Sequence, residues 1–301
     1  MNIKHSLYGL LCGTLMLASC SSDEPTAPSS QTVEASFSLN IAGEVATRAG
    51  NGNSSLGGAE NLGADKLNYI LALYEVADNN TLILSDFCQV SDRDGDGERF
   101  SPMVTLGKTY MMVALAHFGD KRNIADADKA GYLKAMPIEN IINSEAEDFY
   151  VATKTARFTV DNLQHALTLK RPYAKLRIVA TDWNQSAIES VTVDYAANTL
   201  FSQFNVLTNQ FSIGSTTKTI SASQYNTSDA ATAKTIVADY FPVNADTYLS
   251  TFKVTVTFND NDNTSFSRTF NDIPLQRNAL TTLSGTFFSS QSQMKCDVTN
   301  D

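Results

Sequence analysis

The feature that most constrains this chain is a recurrence of short strand-like segments separated by turn signals of Gly, Asn, Asp or Ser. Leu67–Val76 is one such segment; Asp78-Asn79-Asn80 signals a turn, and Thr81–Val90 returns. Val104–Leu106, Tyr110–His117, Thr155–Val160, Ile188–Tyr195, Asn205–Ile213, Thr235–Tyr240, Thr251–Phe258, Ser265–Phe270 and Leu280–Phe288 read the same way. Side chains alternate between the two faces of a strand, so each segment has one face to bury. Lys253–Phe258 and Ser265–Phe270 around Asn259–Asn263 form the clearest hairpin. About a dozen such strands predict an all-β chain of two antiparallel β-sandwich domains. At roughly 100–150 residues per domain, they divide into 33–165 and 166–288, with the boundary near Leu163–Leu167. Pro172 interrupts the run Leu167–Ala180 and marks a bulge, an edge or a crossing between sheets. Only Gly119–Ala152 departs from the pattern; its Asp, Ala and Lys predict short helices near Ala125–Leu133 and Pro137–Asn143.

The first strand is set apart. Val33, Ala35, Phe37, Leu39 and Ile41 alternate with Glu34, Ser36, Ser38 and Asn40, a half-buried strand. Thr47-Arg48-Ala49 and a Gly/Asn/Ser-rich stretch, Gly50–Gly63, follow it. One cut after Arg48 would detach the strand, so segment 33–48 reads as a removable plug, with Arg48 and Ala49 as the processing site.

Residues 1–20 form a targeting segment. Leu7–Ala18 is apolar but short for a bilayer span, and Leu17-Ala18-Ser19-Cys20 resembles the lipobox of bacterial lipoproteins, with Cys20 as the lipidated residue. A plain signal peptide with an incidental cysteine is the alternative. Residues 21–32 are a polar, Pro/Ser-rich tether. Loss of Lys4 with the signal takes the net charge from −10 to −11, which gives nucleic acid or an anionic membrane surface no electrostatic purchase. Cys88 and Cys296 could pair after export, or stay free as small hydrophobes.

The sequence nominates no catalytic chemistry. His117 and His165 are the histidines left after signal removal, and no HExxH, GxSxG, Walker or CxxC motif is present. No cofactor is expected. Asp92, Asp94 and Asp96 before Gly97 resemble the start of a Ca²⁺ loop, but the closing carboxylate position is Met103; a tight turn is the competing reading. Trp183, the only tryptophan, sits just past a strand and reads as a core or rim residue.

The lipobox at Cys20, the front strand with its Arg48 and the segment Leu169-Lys170-Arg171-Pro172-Tyr173-Ala174-Lys175-Leu176 resemble the Bacteroidales fimbrillins, the type V pilus subunits. So does the closing run Ile273-Pro274-Leu275-Gln276-Arg277-Asn278 through Thr282-Leu283-Ser284-Gly285. The resemblance implies transthyretin-like sandwiches and export as a lipoprotein to the outer membrane and cell surface. It also implies cleavage after Arg48, and polymerisation with other fimbrial subunits by filling the emptied groove with a neighbour's C-terminal strand. In the tail 289–301, Met294, Cys296 and Val298 alternate with Lys295 and Asp297 and are the candidate donor teeth, three against five in the front strand. That short tail leaves open an anchor, tip or accessory role, or a non-polymerising surface lipoprotein that binds a glycan or other ligand.

Overall fold

The computed structural model describes residues 31–42, 67–91, 97–118, 129–137, 149–183, 188–195, 201–213, 217–221, 233–258, 264–289 and 293–300. In chain order the strands begin with β1 (Thr32–Glu34), β2 (Ser36–Ile41), β3 (Leu67–Val76), β4 (Leu82–Ser91), β5 (Glu98–Phe100), β6 (Met103–Thr105) and β7 (Thr109–Phe118). A single turn of helix, α1 (Lys129–Lys134), leads to β8 (Met136–Pro137), β9 (Phe149–Arg157), β10 (Gln164–Leu169), β11 (Tyr173–Ala180) and β12 (Ile188–Tyr195). The chain continues with β13 (Phe201–Asn205), β14 (Gln210–Ile213), β15 (Thr217–Ser221), β16 (Lys234–Pro242), β17 (Thr247–Phe258), β18 (Ser265–Gln276), β19 (Ala279–Gly285) and β20 (Met294–Asn300).

The architecture is all-β and built as two sandwiches. In the first, the sheet β4-β3-β7-β9 faces β10-β2-β5 and the pair β1-β6. Their shared core holds Phe37 and Leu39, the odd-numbered residues Tyr69, Leu71 and Leu73 of β3, and Tyr110, Met112 and Ala114 of β7. In the second, β16-β11-β19-β20 faces β15-β12-β17-β18 around Leu176, Ile178, Val191, Val193, Val254 and Val256. A third apolar layer joins them. Ile70, Ala72 and Tyr74, on the other face of β3, pack with Phe149, Tyr173, Phe204 and Tyr240. Because β3 is covered on both faces, its sequence is an apolar run rather than an alternation.

Two pairings depart from the antiparallel pattern: β2 runs parallel to β10, and β11 parallel to β19. Each joins strands far apart in sequence, which no hairpin turn could connect. The chain passes between sandwiches at Lys170–Pro172. β10 still pairs with β2, and β11 already pairs with β16 and β19. Pro172 sits in the passage, where it interrupts no ladder.

Local differences have identifiable causes. Asn205–Ile213 is a hairpin, not one strand, because Asn209 adopts a left-handed backbone (φ 53°) and closes a turn. The turn at Asp78–Asn80 forms as expected, with Asn80 at φ 60° and Asn79 Oδ1 accepting from Thr81 N (3.0 Å). The helix expected near Ala125–Leu133 is observed as α1; Pro137 pairs with Gln203 in β8, and the rest of the second expected helix, 138–143, lies outside the described residues. No helix among the described residues is long and apolar enough to cross a membrane.

Candidate functional site

The front strand is inserted between two partners. β2 pairs in parallel with β10, His165 opposite Phe37 and Leu167 opposite Leu39, and antiparallel with β5, Phe100 opposite Phe37. Ahead of it, β1 pairs with β6, and Leu106 N donates to Gln31 O (2.8 Å). Further bonds tie the strand at both ends: Ser36 N to Leu163 O (2.8 Å), and Ala42 N to Leu169 O (2.8 Å). Ala35, Phe37 and Leu39 are fully buried, while Val33 and Ile41 pack half-buried at the ends of the same core. The alternating face read in the sequence is thus the face that meets the core.

Phe37 lies in an aromatic nest. Its ring stacks on His165 at 5.4 Å and tilts against Phe158 at 6.1 Å, and Phe158 meets His165 edge-on at 4.8 Å. His165 is 4% exposed and neither ring nitrogen makes a hydrogen bond. Burial, seconded by Lys154, lowers its pKa; the Asn162 backbone opposes this weakly, without hydrogen-bonding geometry. Gly97 closes over the strand from the other side. Its φ is +92°, and a Cβ there would lie 2.4 Å from Leu39 O. Only glycine fits that approach.

The two central motifs of the sequence meet in space at the passage between sandwiches. Arg171 N donates to Asn278 Oδ1 (2.9 Å), and Asn278 N donates to Tyr173 O (3.0 Å). The Arg171 guanidinium lies over the Tyr150 and Tyr173 rings at 5.1 and 5.9 Å and donates to Tyr150 Oη (3.0 Å). Arg277 donates to Val243 O from Nε (3.0 Å) and to Asn209 O from Nη2 (3.0 Å).

The C-terminal tail is docked on its own chain. β20 pairs antiparallel with β19, Cys296 opposite Leu283 and Val298 opposite Thr281, and takes the edge of that sheet. Met294 packs partly against the second core, Val298 is half-buried and Cys296 is exposed. The root of the tail is clamped. Asp182 Oδ1 accepts from Phe287 N (2.7 Å), and its Oδ2 from Phe288 N and Ser289 N (both 2.9 Å). Arg268 donates to Phe287 O (2.9 Å) and Ser289 O (2.8 Å). Sequence reasoning missed this clamp, because nothing local distinguishes Asp182 or Arg268 from any other turn or strand charge. Trp183 lies at the rim of the second core, edge-on to Phe288 at 5.7 Å, with Lys234 4.6 Å above its ring.

Cys20, Arg48, Ala49 and the candidate Ca²⁺ ligands Asp92, Asp94 and Asp96 lie outside the described residues. Cys88 and Cys296 are free thiols. Among the described residues no three His, Cys, Asp or Glu side chains gather as a metal site.

The tip fimbrial protein Mfa3 of Porphyromonas gingivalis, solved with a C-terminal truncation, matches over 89% of this chain and 100% of its own, with a TM-score of 0.53 and 9% identity. A fimbrial assembly protein of Parabacteroides distasonis matches over 90% and 100%, with a TM-score of 0.47 and 10% identity. By the match to Mfa3 the fold is fimbrillin-like. No curated protein matches the sequence. One family model spans residues 25–301, and by that match the chain belongs to DUF6562, a family of unknown function.

Proposed function

We propose that the chain is a structural subunit of a surface fimbria, exported to the outer membrane as a lipoprotein through Cys20. Cleavage between Arg48 and Ala49 and assembly with other fimbrial subunits by strand exchange complete the reading. The observation that carries it is the place of β2. A terminal strand sits between β5 and β10, buries Phe37 and Leu39, and is joined to neither partner by a hairpin. Its removal would open a slot flanked by unpaired backbone on both sides and floored by apolar side chains, which a donated strand could fill. In this reading the chain acts by assembly, not catalysis. The test is the N-terminus of material sheared from the cell surface. Ala49 is the expected first residue, and an intact lipidated Cys20 in polymerised material would overturn the cleavage step.

A second reading, a terminal or anchoring subunit, is favoured by the tail. β20 already satisfies the β19 edge of its own chain, and Cys296, its central tooth, is exposed. An anchor would keep its lipid and need no cut at Arg48.

A further inference from the structure

A cleft of about 700 Å³ opens at the passage between the two sandwiches, where the β13–β14, β16–β17 and β18–β19 turns converge on β9 and β10. The turns contribute Asn209, Asp246–Thr247 and Gln276–Asn278. From this cleft we infer that the protein binds an acidic glycan, a saccharide carrying carboxylate groups, between its two sandwiches. The inference does not depend on strand exchange.

The lining carries cations in a chain whose net charge is −10. Lys170 is exposed, and among the described residues its ammonium has no partner. Arg277 is half-buried and lacks an ion pair among the described residues; its Nε and Nη2 are spent on carbonyls, leaving Nη1 free to donate. Burial lowers the Arg277 pKa, with Asp246 opposing, and a desolvated guanidinium short of a counter-ion is a good receptor for a carboxylate. Thr168 and Thr247 add hydroxyls to the lining, and Asp246 can accept from ligand hydroxyls. Asn209 adds a buried Oδ1 with no hydrogen-bond partner.

The frame is rigid. Arg277 is fixed to Val243 O and Asn209 O, Asn278 spans Pro172, and Asn244 both donates to Phe211 O and accepts from Phe211 N. Preorganised donors lower the cost of binding. The volume lies within the range of ligand sites and is far larger than an inorganic anion needs. One carboxylate among few cations disfavours a polyanion with a charge on every unit, so a ligand with spaced charges and many hydroxyls fits best. Among the described residues no aromatic side chain lines the cleft, so affinity would rest on charge and hydrogen bonds rather than ring stacking.

The test is calorimetric titration of the mature chain with a hyaluronan hexasaccharide and 3′-sialyllactose, each beside its carboxyl-reduced counterpart. At least one acidic sugar should bind, its reduced form on the order of tenfold more weakly, as expected for loss of a charge-assisted contact. Lys170→Gln should weaken binding similarly without moving the melting temperature, since its amine holds no described residue. Arg277→Lys keeps the charge and loses the fork, and should also weaken binding. Absence of binding to both sugars, equal binding of the reduced forms, or undiminished binding by Lys170→Gln overturns the inference. So does inorganic sulfate, or a peptide with a free C-terminal carboxylate, binding as tightly as the sugar.

Discussion

Asn278 grips the chain on both sides of Pro172: its Oδ1 accepts from Arg171 N at 2.9 Å, and its own N–H donates to Tyr173 O at 3.0 Å. It does so from a left-handed backbone, φ 55°. Asn278→Ala should destabilise by about 2–4 kcal/mol, combining an orphaned backbone donor with the cost of αL for alanine. Asn278→Gly should recover the backbone part only. Chemical denaturation of the three proteins separates the two contributions, and equal stability of the Ala and Gly variants would exclude the conformational one.

Phe37→Ala should cost about 3–5 kcal/mol, the range for emptying a buried phenylalanine site, because the ring fills the nest made with Phe158 and His165. A chain beginning at Ala49 should melt well below the uncut chain and be rescued by a Val33–Ile41 peptide. If it is already as stable, β2 is not a plug.

Gly97→Ala offers a sharper check, since its clash is with Leu39 O of the front strand. In the uncut chain it should destabilise by more than about 1 kcal/mol. In the chain beginning at Ala49 most of that penalty should vanish, leaving only the φ cost. Equal penalties in both would place the strain elsewhere.

His165 gives a pH dependence with a definite sign. Its folded pKa is depressed by burial and Lys154, so the fold holds the ring neutral. Its contribution to stability is complete above the ordinary histidine value of about 6.5, and is lost as pH falls below that towards the folded value. The urea midpoint should therefore decline on acidification more steeply than in His165→Gln. Parallel declines would show that another group titrates.

Asp182→Ala should loosen the tail, because three backbone donors at 287–289 lose their acceptor. Hydrogen exchange at those amides should rise sharply, with a stability loss on the order of 3 kcal/mol. Unchanged exchange at Phe288 and Ser289 would assign the hold on the tail to the β19 ladder alone.

The sequence made the alternating elements legible, because one face of each is buried and period-two patterning records that directly. Phe37 and Leu39 in β2, Val191 and Val193 in β12, and Val254 and Val256 in β17 lie in the cores their pattern implies. The pairings were less legible. Parallel β2 with β10 and β11 with β19 depend on contacts between remote segments, and β5, β8 and β15 are too short for a pattern to register. The hairpin at Asn205–Ile213 was hidden because Val206 and Leu207, in its turn, are themselves buried in the layer between sandwiches. At the tail, the teeth Met294, Cys296 and Val298 were visible, but not that β19 offers them an edge within the same chain.

The parallel pairing of β2 with β10 also sets an order of events in synthesis. β2 is made before its partner, the His165 strand, which follows only after β3 to β9. The first sandwich cannot close until more than half the chain has been delivered, and such non-local closure is slow. Until then Phe37 and Leu39 stay uncovered beside incomplete sheet edges, the condition that favours aggregation. Synthesis of this chain therefore requires that β2 be shielded until β10 arrives, a demand created by topology and independent of what the finished protein binds.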